Sequence, residues 1–188
     1  ELGLGLVAAV VGVWFGAAVW STEKAFEKLR VPAIAKASLG GLLVGCIGIT
    51  LPHVFGSDYG PINAAFAGAL PLGLMLALLF AKAVATSLTL GSGGSGGVFA
   101  PSLFLGAMAG GAFGTAVHAA FPALTASSGA YALVGMGAVV AAATHAPITA
   151  ILLIFEMTQS IAIIPPLMTA CVLATLAEGS VDPEGVTA

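Results

Sequence analysis

The chain has 188 residues, of which 59% are hydrophobic and only 7% are charged, and its mean hydropathy is +1.11. Soluble proteins carry about 25% charged residues, so this sequence could not cover a water-facing surface. Its net charge of −3 rests on few groups, and nothing in it suggests binding to nucleic acid. We therefore predict an integral, multi-pass membrane protein and expect it in the cell (inner) membrane.

Apolar runs along the chain predict an all-α fold with helices of unequal length. A helix needs about 20 apolar residues to span a bilayer. The longer runs cover residues 2–20, 37–54, 72–90 and 99–121, and the first continues into a polar helical extension over 21–30. The shorter runs cover residues 62–70, 131–144, 148–157 and 165–176. Because several runs are too short to cross alone, the pattern favours a transporter or channel over a simple bundle.

Glycine is unusually frequent, with 26 residues of 188 against an average share of about 7%. Glycines spaced by three or four residues let one face of a membrane helix approach its neighbour closely. The run 99–121 has such a series at Gly106, Gly110 and Gly114. The run 37–54 has another at Gly40, Gly41, Gly45 and Gly48. We predict close helix packing along both series.

Four of the five basic residues lie close together, between or near the ends of the first two apolar runs: Lys24, Lys28, Arg30 and Lys36. The positive-inside rule places this connection in the cytoplasm. At the other end, residues 178–188 are polar, and we assign them to an exposed tail that follows a membrane domain of residues 1–177. The chain begins without Met, and we expect it to be part of a longer or a processed polypeptide.

Residues 91–101, with the sequence GSGGSGGVFAP, interrupt the apolar pattern just before a helix-like run begins. No charged residue occurs from Ala83 to Phe155, a stretch of 73 residues. Non-helical backbone inside a membrane is tolerated only where protein buries it or where it lines a watery cavity. A helix that starts from such a loop presents unpaired N–H groups and a partial positive charge. The loop therefore predicts an anion site made mainly of backbone.

Two other interpretations of this loop are disfavoured. Gly91, Gly93 and Gly96 satisfy the G-x-G-x-x-G pattern of dinucleotide-binding folds. That motif needs a preceding strand and an acidic residue about 20 positions on, and neither is present here. A flexible Gly/Ser linker is the second possibility, but unsatisfied backbone beside lipid would be energetically costly.

The end of the loop resembles a motif of a known membrane-protein family. The segment Gly96-Gly97-Val98-Phe99-Ala100-Pro101 resembles the G-x-F-x-P anion-selectivity motif of the CLC chloride channels and chloride/proton antiporters. Later segments resemble the family's following helices in the same order: GMGA at 135–138, APIT at 146–149, FEMT at 155–158 and IPPL at 164–167. The resemblance covers about residues 2–176. It implies the second of two inverted repeats of the family's membrane domain.

The resemblance also implies a mechanism and a set of site residues. In this family, backbone amides at the start of the corresponding helix bind a dehydrated chloride ion. The donors here would be the amides of Val98 and Phe99, with Gly97 and Ala100 as neighbours. The remainder of the selectivity loop would be Ser92, Gly93, Gly96 and Pro101. The family assignment further implies a homodimer, packed partly through residues 148–157 and 162–176, which transports chloride and needs no cofactor.

The sequence lacks other parts of the family pattern. The family's Gly-Ser-Gly-Ile-Pro segment, its Gly-x-Glu-Gly-Pro segment with the gating glutamate, and its central tyrosine have no counterpart here. The predicted function is anion transport, by either a channel or an antiport mechanism. The alternative is a transport-inactive scaffold or assembly subunit with the same fold. An intramembrane enzyme is disfavoured because no nucleophile–base pair or metal-ligand cluster is evident.

A few polar residues in apolar runs remain to be interpreted. Lys82 either extends to a membrane interface or marks the ion path. Glu156 is an intramembrane acid near a helix end, with either a functional or a structural role. For the three histidines we expect interfacial or capping roles: His53, His118 and His145. Both cysteines, Cys46 and Cys171, are expected to be buried and unpaired.

Overall fold

The computed structural model describes residues 2–29, 31–55, 60–122 and 125–181. Over these residues the chain forms eight α-helices: α1 (Leu2–Lys28), α2 (Ala33–Thr50), α3 (Gly60–Phe66), α4 (Leu72–Gly91), α5 (Phe99–Ala120), α6 (Ser128–Thr144), α7 (Pro147–Thr158) and α8 (Ile164–Val181). Single 3-10 turns occur at Pro52–Val54 and Ile161–Ile163. Five helical segments in the described part of the chain are long and apolar enough to cross a membrane. The prediction of an all-α, polytopic membrane fold is confirmed.

Prolines mark the starts of several helices, because the fixed φ of proline suits the first helical turn and its missing N–H is not needed there. Pro147 is the first residue of α7, and Pro32 and Pro71 immediately precede α2 and α4. The predicted second run, 37–54, differs from the observed helix at both ends. α2 begins four residues earlier, at Ala33, and ends at Thr50 before the 3-10 turn.

The last helix extends further than the sequence suggested. α8 continues to Val181, so the polar tail does not begin at Glu178. The side chain of Glu178 is only 1% exposed. The expectation that this residue is exposed is therefore wrong, because helix packing rather than local polarity determines its surroundings. Residues 182–188 of the expected tail lie outside the described residues.

Helices α5 and α6 form the densest packing in the described structure. A β-carbon added at Gly106 would lie 2.6 Å from Met136 Cα, and one added at Gly135 would lie 2.7 Å from Gly110 Cα. A β-carbon at Gly114 would lie 3.0 Å from Ser128 Cα. Each distance is far below normal van der Waals contact. The close approach predicted for the four-residue glycine series of α5 is confirmed.

The glycine series of α2 behaves differently. Gly40 packs against Ser92 and Gly48 packs against Phe55, whereas a β-carbon at Gly41 or Gly45 would meet nothing within 4 Å. Only part of the predicted packing face is therefore used within the described residues. Cys46, on the same helix, is exposed, so its expected burial is wrong, while Cys171 in α8 is buried. Both cysteines are free.

The α5–α6 contact generates a stability prediction. Gly110→Ala should destabilise the complete protein by about 1–3 kcal/mol, the usual effect of overpacking a well-packed interior. The reason is that its new methyl group would meet the Tyr131 carbonyl oxygen and lie 3.0 Å from Gly135 Cα. Thermal unfolding in detergent measures the effect. Gly45→Ala is the matched control, since its methyl group enters open space and alanine favours a helix by up to about 1 kcal/mol over glycine. Equal behaviour of the two variants would contradict the packing.

Candidate functional site

The glycine-rich loop begins with a well-formed helix end. The N–H of Gly94 donates to the Thr89 carbonyl oxygen at 2.9 Å, and that of Gly93 donates to the Leu90 carbonyl oxygen at 3.0 Å. This pair of hydrogen bonds is the Schellman motif, which requires a left-handed residue after the helix. Gly93 fills that position with φ +82°, where a side chain would be strained. The carbonyl groups of Thr89 and Leu90, in the last turn of α4, are thereby satisfied.

Ser92 strengthens the same helix end from its side chain. Its Oγ donates to the Thr89 carbonyl oxygen at 3.1 Å, and its N–H donates to the Leu88 carbonyl oxygen at 3.1 Å. The residue is only 5% exposed. Ser92 was predicted as part of the selectivity loop, and the structure gives it a buried position as the second residue of the loop.

The loop ends at the start of α5, where N–H groups are left open. Val98 is the residue that precedes the first helical residue, Phe99, and no side chain caps this helix end. The first bond of the helix runs from the Ser102 N–H to the Val98 carbonyl oxygen, at 3.0 Å. The first four N–H groups of any α-helix have no partner within it. Here these positions are 98 to 101, and Pro101 has no N–H, so the amides of Val98, Phe99 and Ala100 remain.

A cavity of about 350 Å³ lies against one side of the loop. From the loop and the start of α5 it is lined by Gly96, Gly97, Ala100 and Pro101. From α4 it is lined by residues that include Lys82, Ala85, Thr86 and Thr89, and from the 3-10 turn after α2 by Val54 and the adjoining Phe55. The predicted donors Val98 and Phe99 do not line it; each is 39% exposed at the helix start. The structure thus places Gly96, Gly97, Ala100 and Pro101 against the cavity, whereas Val98 and Phe99 lie in the same segment but outside the cavity lining.

Lys82 lies in the middle of α4 and faces this cavity. Its ammonium group donates to the Val54 carbonyl oxygen at 2.8 Å, and its Nζ lies 5.3 Å from the centre of the Phe104 ring. The residue is 8% exposed. This buried, internally bonded position does not fit a lysine that extends to a membrane interface. The other interpretation, that Lys82 marks the ion path, stays a prediction.

The other polar residues singled out in the sequence lie elsewhere. Glu156 is exposed on α7, and His53 is exposed in the 3-10 turn that follows α2. The ring of His118 hydrogen-bonds with Thr125 at 3.0 Å beyond the end of α5. His145 ends α6 in a left-handed conformation with φ +52°, which agrees with a capping role. No cluster of three potential metal ligands occurs among the described residues.

One pairing was missed from the sequence. The Nε2 atom of His145 lies 3.7 Å from a carboxylate oxygen of the buried Glu178, so the end of α6 meets the end of α8 through two ionisable groups. Glu178 was assigned to the tail because its neighbours in sequence are polar. The only available signal was the apolar spacing of residues 167–176, which, continued by one more turn, places position 178 on the buried face of α8.

Comparisons with known proteins agree with this architecture. Residues 2–179 match the family model described as voltage gated chloride channel. The chain is 44% identical over 172 residues to a ClcB-like protein of Ralstonia nicotianae, covering 91% of this chain and 40% of that protein. It is 38% identical over 178 residues to the H(+)/Cl(-) exchange transporter ClcA of Salmonella agona, covering 92% and 37% respectively. The chain thus spans about two fifths of the length of these relatives.

Solved structures give the same result. A slow cyanobacterial Cl−/H+ antiporter superimposes with a TM-score of 0.83 at 29% identity, over 99% of this chain and 44% of the antiporter. A eukaryotic CLC transporter shares the fold with a TM-score of 0.80 at 24% identity, over 95% of this chain and 32% of the transporter. Because the family model matches nearly the whole chain, this protein belongs to the voltage-gated chloride channel (CLC) family.

Proposed function

We propose that the complete protein transports chloride, or a similar monovalent anion, across the cell (inner) membrane. The observation that carries the proposal is the uncapped start of α5, where amides without helical partners follow a glycine loop inside a membrane domain. The ClcA relative's name, an H(+)/Cl(-) exchange transporter, supports the same class of substrate. The transport mechanism is that of a channel or of a chloride/proton antiporter.

In this proposal the anion is held by the amides of Val98 and Phe99, with those of Gly97 and Ala100 nearby. Amide dipoles can replace part of an anion's hydration shell and still release it, which permits rapid transport. A directly coordinating Lys or Arg would hold the ion more tightly and would be costly to bury. Glycine before the helix lets an ion approach the backbone closely. The anion is the substrate, and neither a cofactor nor covalent chemistry is required.

Lys82 supports the proposal through its charge. The residue lines the cavity on one side of the loop, together with Gly96 and Gly97. A buried cation raises the local electrostatic potential over a longer distance than an amide dipole does, because the potential of a charge declines more slowly with distance than that of a dipole. A low dielectric constant makes this potential larger. We infer that Lys82 favours anions near the loop without binding them directly.

The first prediction from the proposed function concerns chloride flux and anion selectivity. The complete protein, reconstituted into liposomes, should release chloride faster than empty liposomes, as measured with a chloride electrode. Phe99→Ala should change the ratio of chloride to nitrate flux, since it alters the helix start that presents the amides. Phe121→Ala, at an exposed site beyond the other end of α5, should leave the ratio unchanged.

Two outcomes would contradict the proposal. Chloride release equal to that of empty liposomes, from protein that elutes as a single folded species, would favour a transport-inactive scaffold. A flux ratio that is insensitive to Phe99→Ala and to other changes at residues 97–100 would show that transport does not depend on this loop.

The second prediction tests the charge of Lys82. Lys82→Met keeps much of the side-chain volume but removes the charge, and should weaken the apparent affinity for chloride by about tenfold. That factor corresponds to about 1.4 kcal/mol, the order of magnitude expected of a unit charge that acts on the ion without touching it. Lys82→Arg keeps the charge and is the control. Flux measured against chloride concentration checks the result, and equal affinities for both variants would contradict a role for the charge.

We also propose that the complete protein is a homodimer that packs through α7 and α8. Both helices expose large apolar side chains, including Ile148 at 73%, Leu152 at 60% and Leu176 at 67%. In a membrane such a face can meet lipid or another protein. The family assignment supports a second copy of this protein as the partner that covers this apolar face.

Cross-linking tests the dimer. A cysteine at Leu152, introduced together with Cys46→Ser, should give a species of twice the mass when a short bifunctional maleimide is added to membranes. Cysteine at Leu42, equally exposed at 63% but on α2, is the control and should remain monomeric. Equal cross-linking of both variants, or of neither, would contradict an interface through α7.

A further inference from the structure

We propose that Gly40 of α2 is a positioning residue for the anion loop and acts through its contact with Ser92. This inference rests on the proposed function, since it concerns how the same amides are held in place. Gly40 lies 58 residues before Val98 in the sequence and is not part of the loop. It is buried, although most of its helix is exposed.

The contact between the two residues leaves no room for a side chain on α2. A β-carbon added at Gly40 would meet both Oγ and Cβ of Ser92 at less than any normal contact distance. It would also lie 3.1 Å from the Leu88 carbonyl oxygen. Because Leu88 is in the last turn of α4, the α2 backbone rests directly on the point at which α4 ends and the loop begins.

Ser92 is tied to the residues that follow it. Its Oγ donates to the Thr89 carbonyl oxygen, which also accepts the N–H of Gly94. A displacement of Ser92 would therefore disturb the Schellman motif, and with it the direction in which the loop leaves α4. From Gly94 only three residues, 95 to 97, separate this motif from Val98.

The start of the loop also packs against a second helix, α1. A β-carbon at Gly91 would lie 2.9 Å from the Thr22 carbonyl carbon and 2.9 Å from the Glu23 backbone nitrogen, both in α1. By contrast, a β-carbon at Gly97 would meet nothing within 4 Å. Within the described residues, Gly91 thus packs against α1 and Ser92 against α2, whereas the loop has open space at Gly97 near its end. Val98 is fixed on its helical side by the N–H and Oγ of Ser102, which both donate to its carbonyl oxygen. On its other side it is reached only through the loop that leaves Ser92.

This geometry gives Gly40 an influence on selectivity. Hydrogen bonds to an ion operate over a narrow range of distances, and a shift of a few tenths of an ångström changes which anion radius fits best. A β-carbon added at the next residue, Gly41, would meet nothing within 4 Å. Gly41 therefore lies in the same helix as Gly40 but lacks its contact. The chain therefore provides its own control.

The experiment measures the ratio of chloride to nitrate flux in liposomes for the complete protein and four variants. Gly40→Ala should change the ratio by about fivefold, equivalent to about 1 kcal/mol. Gly41→Ala should leave it unchanged. The double variant Gly40→Ala/Ser92→Gly, in which the obstructing side chain is removed, should return the ratio towards that of the wild type. Ser92→Gly alone shows what loss of the side chain does without the added methyl group.

The outcomes separate this inference from the proposed function. A ratio that responds to Phe99→Ala but not to Gly40→Ala in folded protein would overturn the positioning role and leave the anion site intact. A ratio that responds to neither would overturn the anion site itself. If Gly40→Ala does not fold, the double variant Gly40→Ala/Ser92→Gly tests the contact instead. Recovery of folding and of the wild-type ratio supports the contact, and failure to recover folding contradicts it.

Discussion

A break in a membrane helix is the constraint on which the rest of this structure depends, because a bilayer offers no water to satisfy free backbone groups. At the end of α4 the carbonyl groups of Leu88, Thr89 and Leu90 all accept hydrogen bonds from residues 92–94. At the start of α5 no side chain caps the N–H groups. Three acceptors at the end of α4 are therefore satisfied, whereas the amides at the start of α5 are open. Open amides of this kind suit an anion, and they are the basis of the proposed site.

Local signals in the sequence were sufficient to predict most of this break and the helices around it. The glycine-rich run 91–101 interrupts the apolar pattern between the runs 72–90 and 99–121, so it indicated where α4 ends and where α5 begins. The four-residue spacing of Gly106 and Gly110 likewise predicted close packing. In α2 the same kind of pattern predicted more close contacts than the described residues make. Spacing shows which glycines share a face, but it does not show whether a neighbour covers that face.

Features that depend on distant segments could not be predicted in this way. The environment of Lys82 is determined by Val54, 28 residues earlier, and by the Phe104 ring, so the sequence left two interpretations of this lysine open. The buried Glu178 and its contact with His145 depend on how α8 meets the end of α6. A polar residue near the end of an apolar run has the same local signature whether the helix stops there or continues into a packed interior.

If the loop binds an anion, the two kinds of positive group near it have different tasks. The amides act only at hydrogen-bond distance and so determine where an ion can stop. The ammonium group of Lys82 is bonded to the Val54 carbonyl oxygen and is therefore held in place. Because one of its N–H donors is already used in this hydrogen bond, the ammonium group can attract an anion towards the loop without becoming the principal ligand of that anion. Weak donors at the site and a fixed charge beside it would together allow an ion to enter a dry region and leave it again.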